Sequence, residues 1–251
     1  MKKKTKRLFL EEMASPQFVA PYQAAIDKVT GILEEYKISV KDADHQRIEM
    51  ITSRIKTPQS AMEKLKRKGR ELTAETARRH LNDLAGIRVI CCYYEDVYQV
   101  ANMLLSRPEL TLIKQKDFIC SPKSSGYRSL HLIFEVEGLT LPAEEEIWQG
   151  MPKESTAEEN WQGMPKEPTA EETQEKEEMQ AGDPALLPGV RIEVQIRTLT
   201  MDAWARLDHE LRYKKEIGEV GKIVKALRKC SDSIAEVDDK MQEILEWIRE
   251  T

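Results

Sequence analysis

A chain of 251 residues can bury one full core or two small ones. No apolar run approaches the roughly 20 residues needed to cross a bilayer, which excludes a helical membrane protein. The four cysteines (Cys91, Cys92, Cys120, Cys230) show neither CxxC pairing nor metal-ligand spacing. That excludes a disulfide-stapled scaffold or a zinc site and suits a reducing cytosol. The opening MKKKTKRLFLEEM is basic, but Glu11 and Glu12 interrupt any signal-peptide apolar region, so a soluble cytoplasmic protein is expected.

The first strong periodicity is at Phe18, Tyr22, Ile26, Val29, Leu33 and Tyr36, in steps of three and four, which predicts an amphipathic helix over 16–36. A second helical stretch is read at 44–55. Thr57-Pro58 is an N-cap and first-turn pair opening a helix that ends at Gly69, and another helix starts at Thr73. The period then changes. Ile87 to Tyr94 is β-branched and aromatic and reads as a strand, followed by a helix capped by Asp96 and running to Leu105. Further strands are read at 110–119, 128–137 and 190–198, and helices at about 200–215 and 219–250. Strands interleaved with helices predict an α/β protein with a mixed sheet of four or five strands flanked by helices.

The stretch between the last two strands is of another kind. Trp148 to Glu159 recurs as Trp161 to Glu172 with eleven of twelve positions matching, at a period of thirteen. From Pro142 to Pro188 there are thirteen acidic residues and three lysines, a local charge of −10 against −5 for the whole chain. The remaining chain therefore carries −5 + 10 = +5. Two proline- and glycine-bearing copies with little to bury read as a flexible acidic insertion between adjacent strands, or as a partner-binding segment. A mildly basic body suits an anionic substrate.

Four motifs carry chemistry. In Val190 to Thr198, alternation sends Ile192, Val194 and Ile196 to one face and Arg191, Glu193, Gln195 and Arg197 to the other. That polar row is either an ion-paired, half-exposed strand or part of a site. Asp83, at the entry to the first strand, is a turn residue unless it joins Glu193; two carboxylates from different strands are the usual way to hold Mg²⁺. Arg54 and Lys56 precede the helix at Pro58, whose N-terminus favours an anion, and Ser60 and Lys64 lie one turn apart on it. The alternative there is a solvated basic helix. The turn from Pro122 to His131 delivers Lys123, Tyr127 and His131, with Lys114 and Lys116 just upstream; its tyrosine either stacks on a base or packs on the core.

Taken in order, Arg-x-Lys then Ser then Lys, Asp-x-Ala-Gly-Ile-Arg, Pro-Lys-x-x-Gly-Tyr-x-Ser-Leu-His and Glu-Val-Gln-Ile-Arg-Thr resemble the synthetase domain of RelA/SpoT-type alarmone synthetases. The resemblance runs from about residue 45 to about 215, apart from the insertion. It implies a nucleotidyltransferase-like fold and a GTP diphosphokinase that moves the β,γ-pyrophosphate of ATP to the 3′-hydroxyl of GDP or GTP in stringent-response signalling. It further implies that Arg54 and Arg88 sandwich the adenine, and that Lys56, Ser60 and Lys64 hold the ATP phosphates. Asp83 and Glu193 would bind Mg²⁺, with Glu193 placed to activate the 3′-hydroxyl. Tyr127 would stack on guanine, and Lys114, Lys116, Lys123, His131, Gln195 and Arg197 would serve the acceptor side. Ser125 departs from the family, where Asn is common.

The expected organisation is an N-terminal helical segment over 1–43, a synthetase domain over 44–215 interrupted by the insertion at 142–188, and a C-terminal helix over 216–251. Asp44-His45 has the wrong order for the metal motif of the hydrolase domain found in full-length members, so a synthetase-only chain is expected. In the last helix Val220, Leu227, Ile234, Met241 and Ile248 recur every seven residues, with Ile223, Val237 and Ile244 beside them. That helix either folds back on its own chain or joins a homo-oligomer, for which the resemblance favours a tetramer. The rival functions are nucleotidyl transfer and RNA binding. Carboxylates set among cations argue against RNA, and no membrane partner is expected.

Overall fold

Five strands with apolar residues on one side and polar residues on the other assemble into one mixed sheet. This is a computed structural model, which describes residues 2–40, 45–139, 189–213 and 220–250. In chain order the elements are α1 (Lys2–Met13), α2 (Pro16–Ser39), β1 (Ile48–Ile55), α3 (Pro58–Arg67), α4 (Ala74–His80) and β2 (Ala85–Cys91). Then follow α5 (Tyr94–Leu105), β3 (Leu110–Asp117), β4 (Leu130–Val136), β5 (Val190–Thr198), α6 (Leu199–Tyr213) and α7 (Val220–Glu250). The strand order is β1-β2-β5-β4-β3, with β2 and β5 parallel and every other pair antiparallel. The expected mixed α/β fold is present, with five strands. No helix among the described residues is long and apolar enough to cross a membrane.

One face of the sheet is the core. Ile87, Val89, Leu132, Phe134, Ile192, Val194 and Ile196 are buried there together with Ala25, Val29 and Leu33 of α2 and Val97, Val100 and Leu104 of α5. α2 starts where it does because Ser15 caps it, accepting a hydrogen bond from the Phe18 N–H, and Pro16 supplies the first turn. Its buried side chains recur at three and four residues, so truncating Leu33 to Ala would cost about 2–5 kcal/mol.

The other face is polar and is organised in cross-strand rows. One row reads Thr52, Arg88, Gln195, His131, Lys116; the next reads Arg54, Gly86, Glu193, Ile133, Lys114. Residues in register across a sheet project on the same side, so residues far apart in sequence meet here. α6 leaves the end of β5 directly and packs with α7 beside this face. Trp204, Ala205 and Leu227 cluster there with Tyr127, and the Trp204 indole donates to the Leu227 carbonyl at 3.0 Å.

Two expected elements are corrected. Residues 48–55 form the edge strand β1 and not a helix. A register shift between Ile48 and Met50 places Ile48, Ile51 and Ile55 toward the core at steps of three and four, which imitates a helical stripe. α5 begins at Tyr94, so Asp96 is its third residue and not its cap; its carboxylate accepts from the Tyr93 N–H at 3.1 Å. β4 and β5 are adjacent and paired as far as Val136 and Val190. The whole of the expected acidic insertion between them, residues 142–188, lies outside the described residues.

Candidate active site

The sheet brings the two carboxylates to one polar face. Asp83 sits in the turn between α4 and β2, and Glu193 faces the gap above Gly86, its β2 neighbour. Asp83 Oδ2 accepts from Lys56 Nζ at 2.8 Å and Lys64 Nζ at 3.1 Å. Burial by itself would push the Asp83 carboxyl up, but the two ammonium groups, by charge and by hydrogen bond, hold it far below the usual carboxylate range. Its other oxygen, Oδ1, is buried and has no hydrogen-bond partner among the described residues.

Glu193 belongs to a closed circuit. His131 Nδ1 lies 3.1 Å from Glu193 Oε1, and the Gln195 amide donates to Oε2 at 2.9 Å. Arg197 Nη2 donates to Gln195 Oε1 at 2.6 Å and to the Tyr127 hydroxyl at 2.8 Å, and that hydroxyl lies 2.9 Å from His131 Nε2. Burial would push the Glu193 carboxyl up. The His131 imidazole, helped by the Gln195 amide, outweighs both that and the opposing charge of Asp83, and holds it below the usual range. Each carboxylate is thus ionised at neutral pH, and Glu193 feels the charge of Asp83.

Behind the circuit, three guanidinium groups share one carboxylate. Asp202, in the first turn of α6, is 3.2 Å from Arg88, 3.2 Å from Arg197 and 2.7 Å from Arg206. Arg88 is 3% exposed and Arg197 1%. Burial, and then the charge of Arg197, push Arg88 down to about 9 despite Asp202. Two buried guanidinium groups set against one carboxylate, with the half-exposed Arg206 beside them, make this corner of the face receptive to anions.

The turn from 121 to 129 closes one wall of this face. Gly126 adopts φ +93°, and a Cβ there would come within 2.7 Å of the Ser231 Cβ on α7. Ser231 donates to the Gly126 carbonyl, and Arg228 to that of Lys123 at 2.9 Å, so α7 grips the turn. The Lys123 ammonium lies over the rings of Phe118 at 4.5 Å and Tyr127 at 5.3 Å.

Comparison with known proteins accords with this geometry. Residues 53–159 match the model of the region found in RelA/SpoT proteins. Over 224 residues the chain is 31% identical to the GTP pyrophosphokinase YwaC of Bacillus subtilis, covering 88% of this chain and 85% of that protein. The chain belongs to the RelA/SpoT family. It is also 29% identical to the GTP pyrophosphokinase YjbM of Bacillus subtilis over 93% of this chain and 90% of that one. Among solved structures, the small alarmone synthetase 1 of Bacillus subtilis bound to its product pppGpp aligns at a TM-score of 0.66 and 25% identity, covering 93% of this chain and 97% of that one.

Of the residues singled out by RelA/SpoT motif, the fold gathers Lys56, Lys64 and Asp83 in one ion cluster and Tyr127, His131, Glu193, Gln195 and Arg197 in the circuit. Arg54, Lys114 and Lys116 share the two polar rows. Ser60 lies in the first turn of α3, its hydroxyl accepting from Thr57 Oγ1 at 2.9 Å. Two residues are less open than expected. Arg88 is buried against Asp202 and presents no free stacking face, and Tyr127, 9% exposed, packs on Trp204 and Leu227. Ser125, which departs from the family pattern, accepts from the Tyr127 N–H at 3.3 Å and so shapes the turn. Sequence reasoning missed Asp202, Arg206 and Phe118. Asp202 and Arg206, four apart directly after the Glu193 strand, were the available signal for the first two.

Proposed function

We propose that this chain transfers the β,γ-pyrophosphate of ATP to the 3′-hydroxyl of GDP or GTP, forming guanosine tetra- or pentaphosphate and AMP. The observation that carries the reading is the convergence of two ionised carboxylates, Asp83 and Glu193, with lysines on one side and an imidazole and buried guanidinium groups on the other. Such a face suits a polyphosphate donor and an anionic acceptor meeting over the sheet.

Mg²⁺ fits this site. Asp83 Oδ1 is a buried acceptor without a partner among the described residues, and Mg²⁺ takes only one or two carboxylates, filling its shell with water and phosphate oxygen. Asp83 and Glu193 would hold it, and once bound it would neutralise the triphosphate charge and polarise the transferring group. The chain's own residues do the rest. Lys56 and Lys64 turn from Asp83 to the donor phosphates, and Arg54 lies along the adenosine end. Glu193 takes the proton of the acceptor hydroxyl while its oxygen attacks the β-phosphorus and the bond to the α-bridging oxygen breaks, releasing AMP. Arg197, Lys114, Lys116 and Lys123 surround the acceptor, and positioning with charge neutralisation supplies most of the acceleration. The cytosol is where such nucleotides are available.

Assembly is a second part of the proposal. Leu227, Ile223 and Ile234 of α7 pack within the chain, whereas Val237, Met241, Ile244 and Ile248 form an exposed apolar stripe. A second copy covering that stripe would make the enzyme a homo-oligomer, with a tetramer favoured. The activity is tested by incubating labelled ATP with Mg²⁺ and GDP or GTP and separating the products. AMP with a 3′-pyrophosphorylated guanosine is expected; release of free pyrophosphate with a nucleotidylated acceptor would overturn the reading.

A further inference from the structure

Both oxygens of Asp202 are taken by guanidinium nitrogens, and one of them is shared. Oδ2 accepts from Arg206 Nε at 2.7 Å, while Oδ1 meets Arg88 Nη1 and Arg197 Nη1, each at 3.2 Å. The backbone that carries this carboxylate is pinned as well. Thr198 Oγ1 accepts from the Met201 N–H at 3.2 Å, and the Thr198 and Thr200 hydroxyls donate to Asp238 of α7 at 2.7 and 2.6 Å. Asp202 therefore stands on a fixed first turn of α6, just beyond the strand that bears Glu193.

A guanidinium only donates, so every bond on the path from Asp202 to Glu193 has one possible direction. Arg197 gives Nη1–H to Asp202 Oδ1 and Nη2–H to Gln195 Oε1 at 2.6 Å, which leaves the Gln195 amide to donate to Glu193 Oε2 at 2.9 Å. Arg197 Nε has no hydrogen-bond partner among the described residues. The hydrogen bonds that orient this guanidinium thus come from its two Nη atoms, and without Asp202 it would be held at Nη2 alone and could swing about that atom. We infer that Asp202 is a positioning residue for the acceptor side: through Oδ1 it sets the Arg197 guanidinium, and through Arg197 and Gln195 the Glu193 carboxylate. This rests on the proposed function, in which Arg197 faces the acceptor and Glu193 takes its proton. Arg88 shares the same oxygen to the opposite effect, because the pairing draws it away from a base on the donor side.

Asp202→Asn keeps the size and one acceptor oxygen and removes the charge. Turnover is expected to fall about 10-fold, the lower range for losing a group that orients a ligating or catalytic residue. The acceptor KM should rise, while the KM for ATP stays level or falls, since Arg88 is released. A substitution that only loosened the fold would raise both KM values. Asp202→Glu keeps the charge but sets its oxygens one carbon further along. It should show the same asymmetry, and it decides the matter if Asp202→Asn does not fold. A readout without turnover is the Gln195 side-chain amide. In ¹H–¹⁵N correlation spectra without nucleotide or metal, its signals should shift in the folded variant, carried there through Arg197. Unmoved Gln195 signals, wild-type turnover, or an equal rise in both KM values would each overturn the inference. The reaction assignment fails separately: products other than AMP and a 3′-pyrophosphorylated guanosine would refute it while leaving the Gln195 shift intact.

Discussion

Asp83→Asn tests whether the donor side is built around a single counter-ion. The substitution keeps shape and one acceptor oxygen but removes the charge that holds Lys56 and Lys64 at 2.8 and 3.1 Å. Two hydrogen bonds to charged groups contribute about 1.5–3 kcal/mol each. Both lysine side chains retain some access to water, at 10% and 14% exposure, and part of the loss is recovered by their turning outward. The expected destabilisation is therefore about 2–3 kcal/mol, or roughly 5–10 °C in Tm for a chain of this size. Because the folded carboxyl is held far below its usual range, its contribution is complete above that range and is lost as pH falls through the lowered value. The gap between wild type and variant should thus be full at neutral pH and narrow in acid. Thermal melts without nucleotide or metal, run across pH, decide it. A variant that melts at or above the wild-type temperature at neutral pH would show that the lysines do not depend on Asp83.

Three further outcomes are expected. Glu193→Gln should lose at least about 10²-fold in turnover in a product assay, as for loss of a general base. Its Tm should fall by only a few degrees, the new amide facing a donor from His131 or Gln195. Gly126→Ala should destabilise the turn at 121–129 by about 1–3 kcal/mol, since φ +93° and the Ser231 contact both oppose a Cβ; a Tm unchanged by this substitution would mean that α7 does not hold the turn. Ile244→Lys, in the exposed stripe of α7, should dissociate the oligomer with little effect on the fold, because a lysine in an apolar seam is costly. Light scattering during size exclusion would read it, and an unchanged mass above that of one chain would place the interface elsewhere.

The parts of the fold that were legible in the sequence are those whose periodicity is undisturbed. β5 shows a clean alternation of Ile192, Val194 and Ile196 against Glu193, Gln195 and Arg197, and the structure keeps it residue for residue. β1 was hidden because its register shift moves the apolar positions off a period of two. The motif residues were legible, but not their partners. That Lys56 and Lys64 would meet on Asp83 depends on a turn after α4 landing between β1 and α3, which local pattern does not encode. Nor does it show that Tyr127 is pinned by Trp204 and Leu227, residues that follow it by more than seventy positions. The heptads of α7 were read as one continuous seam. Leu227 and Ile234 in its first half pack within the chain, and in its second half Leu245 is buried while Val237, Met241, Ile244 and Ile248 stay exposed, because α6 and the turn at 121–129 cover one end of the helix and α5 only one side of the other.

The pairing of β5 has a bearing on how the chain reaches this state. β5 is the central strand, yet it joins β4 across 54 positions at Val136 and Val190, and β2 across 107 at Ala85 and Ile192. Local hairpins form in microseconds, whereas contacts between distant positions wait on the closure of long chain segments. β3–β4, paired across 13 positions at Asp117 and Leu130, and then β1–β2, paired across 30 at Ile55 and Ala85, can therefore assemble before β5 inserts between them. Glu193, the base of the proposed reaction, rides on that last strand, so it is installed by the same step that completes the sheet, and a half-folded chain holds the lysines and Asp83 without it.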